Sequence, residues 1–415
     1  MMTTLPTQFR VRAAHCDYLA PQDEIYAALR RITLPLDRSW QKLRKARRIA
    51  IKFNQDWAQF KLVTHQGHLQ QLVSEQVMRA VLRLLREETS AELVCIDIGV
   101  ESIMNKITDG SATHAMDALR AYDVPFIELS EHDTEWVSVP GGGLMFDRYP
   151  VGARYLECDE LVDVQKIKNH NFMGITLCLK NLFGLMPLLP KGRPRHYYHH
   201  LVRMPYMLAD LGRIYNPALN ILDGLVTQAG GEWGPGDHPR ICNTLVAGDH
   251  VVATDACGAH LMGHDPAEDW LTPPFYRDRN SLRIAAENGF GTVNLSEIDF
   301  ASEVTAPIGQ FFPNITDPQA MVVSWLRSMS EQGLYYRDHF KELLDQYAGK
   351  YILLQMNEVR WSEADGIFRG SRRDLAGVHP DQAMWIKYVD PEESEKEHFD
   401  VYEKTLRMID EKVPA

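Results

Sequence analysis

Hydrophobic and polar positions along the chain follow two alternating periods, and the alternation predicts an architecture. After a helical pattern at "DEIYAALRRI" and the cationic segment "RSWQKLRKARR", the apolar run "IAIKFN" reads as a strand. Apolar residues then recur every three to four positions in "EQVMRAVLRLLREE", which predicts an amphipathic helix, and "ELVCIDIGV" predicts the next strand. A helix over "SATHAMDALRAY" and a strand at "VPFIELS" continue the series. Strand and helix in turn imply an α/β fold, a Rossmann-like mixed or parallel sheet covered by helices.

The Gly-Pro-rich "SVPGGGLMFDRYPVG" interrupts this series, and beyond it the strands "ARYLECDELVDVQKIK" and "NILDGLV" and the strand-to-helix segment "TLVAGDHVVATDACGAHLMG" carry the core to residue 300. The remainder has a different pattern: helices "PQAMVVSWLRSMSEQ" and "YYRDHFKELLDQYA", a short strand "KYILLQMNEVRW", and a charged closing helix "PEESEKEHFDVYEKTLRMIDEKV". The expected organisation is an N-terminal lead-in over 1–47, an α/β core over 48–300, and an appended, mostly helical α+β region over 301–415. No repeat of fixed period and no low-complexity tract is visible.

Composition narrows the function classes. The chain has 415 residues, 45% of them hydrophobic, a formal charge of -12 and a pI near 5.7. Such a charge balance is repelled by nucleic acid and by anionic lipid, so neither is an expected partner. No apolar run reaches the ~18 to 20 residues of a membrane span. The opening "MMTTLPTQFRVRAAHCDYLA" lacks a signal peptide's apolar centre, and the expected location is the cytoplasm. The cysteines Cys16, Cys95, Cys158, Cys178, Cys242 and Cys257 are scattered, with no CxxC run, so no sequence-local [4Fe-4S] or zinc site is expected.

Against this acidic background, "KIKNHNFMGITLCLKNLFGLMPLLPKGRPRHYYHHLVR", Lys166 to Arg203, carries seven Lys or Arg, four His and no acid. Its cations either pair with distant carboxylates or receive an anion. If "NFMGITLCLKNLFG" is helical, Thr176 and Lys180 share a face at i and i+4 and Gly184 terminates the helix. A helix N-terminus near His170 and Asn171 would then add free N–H donors suited to carboxylate or phosphate. Lys180 serves either as a fixed charge or, desolvated, as a base or nucleophile. His170 and His196 read equally as proton carriers, metal ligands or hydrogen-bonded imidazoles.

Smaller signals lie elsewhere. Lys52 and Asn54 end the first strong strand, where doubly wound sheets collect ligands. Asp249 and Asp255 bracket a strand-to-helix turn, with Asp255 placed to cap the helix that follows. Tyr197 and Tyr198, beside His199 and His200, offer a stacking wall, and "GGEWGPGDHP" has the density of a tight loop without the order of a dinucleotide or P-loop motif.

Taken together, these residues resemble the DUF362 family of uncharacterised proteins. The resemblance rests on Lys166, Lys168, His170, Thr176, Lys180, Asn181 and Gly184, on Lys52 and Asn54, on Asp223 and Gly224, on the turn Gly234, Pro235, Gly236, and on Gly248, Asp249, Asp255 and Gly263. It spans residues 48 to 300 and implies a fold and a site, but no reaction. Many members resemble ferredoxin fusions with a [4Fe-4S] cysteine run that this chain lacks, and the family's usual Thr is Asn169 here. A weaker similarity joins His170, Lys180 and His196 to lactate-racemase-like nickel-pincer enzymes, in which they would be the catalytic His, the cofactor-bearing Lys and a nickel ligand.

The expectation is therefore an enzyme acting on a small anionic molecule by acid/base or redox chemistry. Its binding groups would be Lys52, Asn54, Lys166, Lys168, Thr176, Asn181, Arg193, Arg195 and Asp249, with His170 and Lys180 as the acid/base pair. A non-catalytic anion binder or sensor, and a nickel-pincer enzyme using His196 as metal ligand, are the alternatives.

Overall fold

The computed structural model describes residues 8–104, 106–107, 110–189, 193–231, 238–366, 368, 375 and 377–413. Its centre is a nine-stranded sheet built from β1 (Phe9–His15), β2 (Arg48–Phe53), β3 (Glu92–Asp97), β4 (Phe126–Glu128), β5 (Glu160–His170), β6 (Gly174–Thr176), β7 (Leu219–Ala229), β8 (His238–Gly248) and β9 (Ile298–Ser302). The spatial order is β9-β1-β8-β7-β5-β2-β3-β4, with β6 paired to β5. From β7 to β4 all neighbours are parallel, whereas β8 runs antiparallel to both β7 and β1. The sheet is thus mixed, and Phe9–His15 lies inside it between β8 and β9.

Both faces are covered, so the central strands are apolar on both sides rather than alternating with polar residues. Ile49, Ile51, Leu93, Cys95, Val162 and Val164 pack under helices α1 (Gln22–Thr33) and α2 (Glu75–Glu88). Ala50, Val94, Ile96 and Leu161 face the opposite core, which includes α3 (Arg203–Tyr215) and α4 (Val251–Leu261). Helix α2 coincides with the predicted "EQVMRAVLRLLREE", its buried stripe being Val77, Met78, Val81, Leu84 and Leu85.

Four elements differ from expectation. The stretch expected to be one helix from Asn171 to Gly184 instead turns back as strand β6 antiparallel to β5, followed by a one-turn helix Cys178–Asn181 and a 3-10 turn Leu182–Leu185. Gly174 permits the reversal: its φ is +76°, and a Cβ there would stand 2.5 Å from the Pro274 carbonyl oxygen. The expected strand from Ala153 begins only at Glu160. "KYILLQMNEVRW" is a hairpin, β10 (Tyr351–Gln355) and β11 (Glu358–Glu363), turned at Met356 and Asn357, whose φ values of 52° and 63° fit a two-residue type I′ turn.

The fourth is the closing helix, α6 (Asp400–Lys412), which starts later than its charge pattern suggests. Ahead of it, Glu395 and Glu397 turn inward to Lys387 Nζ at 2.7 and 2.9 Å, and Lys387 lies on β12 (Trp385–Tyr388), which pairs with β10. Helix α5 (Gln319–Asp338) packs on α6, and Trp385 and Tyr402 join the same core as α3. The C-terminal region therefore shares its core with one face of the sheet.

Candidate functional site

Where parallel strands leave a common strand in opposite directions, their C-terminal ends open a crevice. Here β3 and β4 lie on one side of β2 and β5 on the other, so the reversal falls between β2 and β5. A cavity of about 320 Å³ sits there, and its wall includes Lys52, Asn54, Lys168, His170, Thr176, Lys180, Asn181 and Arg195. These residues come from the ends of β2 and β5, from β6, and from the turns that follow.

Lys52 is fixed at the floor. Its Nζ lies 3.0 Å from Asp97 Oδ1 and donates to the Phe53 carbonyl at 2.8 Å. Asp97 is held in turn by Gln55 Nε2 at 2.9 Å and by the Ile98 N–H at 2.8 Å. Gly184 makes room for this lysine: a Cβ there would stand 2.8 Å from Lys52 Cε. Lys168 Nζ donates to the Gln71 carbonyl at 2.9 Å. Asn181 donates to Asp163 Oδ1 at 2.6 Å, and burial pushes the Asp163 carboxyl up to about 7.

Two further cations share one aromatic ring. Lys180 Nζ is 4.8 Å and Arg195 Cζ 5.5 Å from the Phe183 ring centre, a cation–π arrangement that offsets part of their desolvation. Arg195 also donates to the Gly184 and Met186 carbonyls at 2.6 and 3.1 Å, and burial lowers its pKa to about 10. His170 Nδ1 accepts the N–H groups of Phe172 and Met173 at 3.0 and 3.1 Å. That nitrogen carries no proton in this geometry, so the neutral ring holds its proton on Nε2 and acts as a donor from that atom.

Among the described residues, Asn54 Oδ1, Gln71 Oε1 and Thr176 Oγ1 are buried without a hydrogen-bond partner, and all three residues line the cavity. Buried polar atoms are paired in more than about nine cases of ten. These three atoms present unmet hydrogen-bonding capacity to one cavity.

The remaining predicted residues go elsewhere. Lys166 is fully buried outside the cavity wall, 2.7 Å from Asp223 Oδ2 and 3.1 Å from Ser74 Oγ. Burial lowers its pKa, and Asp223 opposes that shift. Arg193 is also outside, 3.2 Å from both Asp390 and Glu395. Asp249 accepts the Arg10 N–H at 2.9 Å; it follows β8, whose antiparallel course carries it to the other edge of the sheet. Asp255 sits within α4 and caps a different helix from the one expected, accepting the Cys178 and Leu179 N–H groups at 2.9 and 2.7 Å. No helix starts at His170 or Asn171, and the one-turn helix Cys178–Asn181 has its first N–H groups taken by this carboxylate. Tyr197 and Tyr198 are fully buried against Phe146 rather than forming a wall, while His199 does line the cavity. The turn Gly234, Pro235, Gly236 lies outside the described residues.

His196 does not join His170 and Lys180 in the cavity wall, and among the described residues no group of three or more His, Cys, Asp or Glu is arranged to hold a metal. Asp97 and Gln71 were not anticipated. Asp97 had a signal, a carboxylate ending a predicted strand at the ligand-collecting edge; Gln71 had none.

No described helix is long and apolar enough to cross a membrane. The thylakoid-associated protein sll1697 of Synechocystis sp. (strain ATCC 27184 / PCC 6803 / Kazusa) is 28% identical over 156 residues, which cover 36% of this chain and 45% of that protein. The chain thus matches less than half the length of that curated relative. No solved structure matches. The family model described as "Domain of unknown function (DUF362)" matches residues 49–260, the segment that builds the crevice from Lys52 to Arg195, and the chain belongs to this family.

Proposed function

We propose that the crevice seats the carboxylate or phosphate of a small molecule and that the chain is an enzyme acting on it by proton transfer. The observation that carries this reading is the gathering of Lys52, Lys168, Lys180 and Arg195 with His170 around one cavity, whose described lining includes two carboxylates, Asp56 and Asp97. The orphaned oxygens of Asn54 and Gln71 are acceptors, so the fitting anion also carries hydroxyl or amine donors. Lys168, Lys180 and Arg195 hold the anion. The neutral fraction of Lys180 takes the proton from the carbon beside it, and the electron pair of that bond passes to the ligand oxygen to which His170 donates from Nε2. The resulting Lys180 ammonium returns a solvent-exchanged proton to the carbon.

The test is solvent exchange. Hydroxycarboxylates and phosphorylated hydroxy acids are incubated with the chain in deuterium oxide and followed by NMR. The reading expects deuterium at the carbon next to the anionic group of at least one compound, lost in Lys180→Ala. Saturable binding with no exchange in any compound favours the second reading, a non-catalytic anion binder. The prior engagement of Lys52, Arg195 and Asn181 with protein partners supports that alternative.

A further inference from the structure

A second cavity, of about 480 Å³, adjoins the charged one, and Phe172 and His199 belong to both walls. These two rings meet edge to face at 5.6 Å and form the partition. Beyond it the lining changes character, to Met173, Met204, Trp325, Met329 and Met384. Unbranched thioether side chains fill irregular space and readjust around apolar ligands of varied shape. Asp278 reaches this wall but both its oxygens are taken, one by the Val202 N–H and the other by the Arg279 N–H. Phe172 is 41% exposed although it borders two cavities in a molecule that buries most of its large apolar side chains.

We infer that the ligand of the crevice is an amphiphile: its anionic head lies among Lys168, Lys180 and Arg195, and its apolar chain passes the Phe172–His199 partition into the methionine-lined cavity. This rests on the anion reading above and adds the class of molecule. The occupant is a single-chain hydroxy acid or phosphate ester with an apolar tail. The charged cavity answers only the head, and the tail reaches the second cavity where Phe172 and His199, common to both walls, swing aside. Trp325 and Met329 come from α5 and Met384 from the segment before β12, so the C-terminal region supplies one wall of the tail pocket.

The test is calorimetric titration of the full chain with 2-hydroxybutyrate, 2-hydroxydecanoate and uncharged 1,2-decanediol, below micelle-forming concentrations, and with phosphatidylglycerol vesicles. The inference expects each added methylene to tighten binding about three- to four-fold until the tail cavity is filled. In Ala383→Phe, which narrows that cavity, the dependence on chain length disappears while 2-hydroxybutyrate binds as before. Met384→Ala, which widens it without overpacking, shifts the preferred length upward. Equal affinity for the short and long acids would overturn the amphiphile and leave the anion reading standing. A diol bound as tightly as the long acid would overturn the anion reading and leave the apolar cavity standing. Binding only to phosphatidylglycerol vesicles, with none to the monomeric acids, would overturn the cavity as the tail's seat, as would binding of none of these probes.

Discussion

At the scale of single residues, lysines two positions apart have different tasks. Lys166 and Lys168 share a face of β5, yet Lys166 ends on Asp223 with no exposure and Lys168 ends in the cavity wall. A buried pair loses about 3–5 kcal/mol when one partner is removed, because the other charge is left in a poor solvent. Asp223→Ala is accordingly expected to lower stability by about that amount in urea titrations. Replacing the pair together, by Lys166→Met with Asp223→Leu, should restore most of it. Gly184→Ala places a methyl against Lys52 on the segment whose carbonyl holds Arg195, and is expected to weaken anion binding while stability falls by only about 1 kcal/mol, the low end for overpacking; unchanged affinity would show that this floor does not position the anion's cations. Composition made Lys52, Lys168 and Lys180 legible as candidates. It could not separate Lys166 or Arg193 from them, since their acid partners lie 57 and about 200 positions downstream and only the folded chain brings them together.

At the scale of elements, legibility followed periodicity. Helix α2 has polar residues between its apolar ones and was readable in full, whereas "NFMGITLCL" is apolar apart from Asn171 and Thr176 and has no period to distinguish strand from helix. The consequence for the site is direct: Thr176 reaches the cavity from a strand in register with Lys168, not from a helical face shared with Lys180. Helix α4 carries a pH signature at its two ends. Its N-cap His250 is held at about 3 by burial, with Arg38 and Lys42 adding to the effect, and His264 just beyond it at about 4 by burial. The Asn169 amide lies 3.3 Å from His264 Nε2. The unfolded chain takes up protons near 6.5 that the folded imidazoles refuse, so their contribution is full above about 6.5 and lost as pH falls towards 4 and then 3. Asp163 and Asp278, raised by burial to about 7, act in the opposite sense: their contribution is lost as pH rises through that value. The informative comparison is therefore variant against parent. His264→Gln is expected to lose less stability than the parent between pH 7.5 and 5 in paired urea titrations, and parallel losses would contradict the assignment.

At the scale of the whole molecule, the C-terminal region completes the core it was expected to follow. Arg203 is fully buried on α3 and lies 2.8 Å from Glu397, and Arg193 meets Asp390 and Glu395. A chain ending at residue 300 would lose these carboxylates and uncover the core that Trp385 and Tyr402 share with α3, so it is expected to be insoluble or unfolded by circular dichroism; a folded truncation would show that the pairing is dispensable. The same pairing answers the puzzle of the cationic stretch. Distant acids meet Lys166, Arg193 and Arg203, while Lys52, Lys168, Lys180 and Arg195 line one crevice of a molecule with charge -12. The most direct measurement of that claim is calorimetric titration of hydroxycarboxylates and phosphate esters into the parent chain, Lys180→Ala and Asp249→Asn, at low and high salt. The account predicts saturable one-to-one binding that high salt weakens, that falls about ten-fold or more in Lys180→Ala, and that persists in Asp249→Asn at the opposite edge of the sheet. Binding of no anion, or equal binding by Lys180→Ala and the parent, would contradict it.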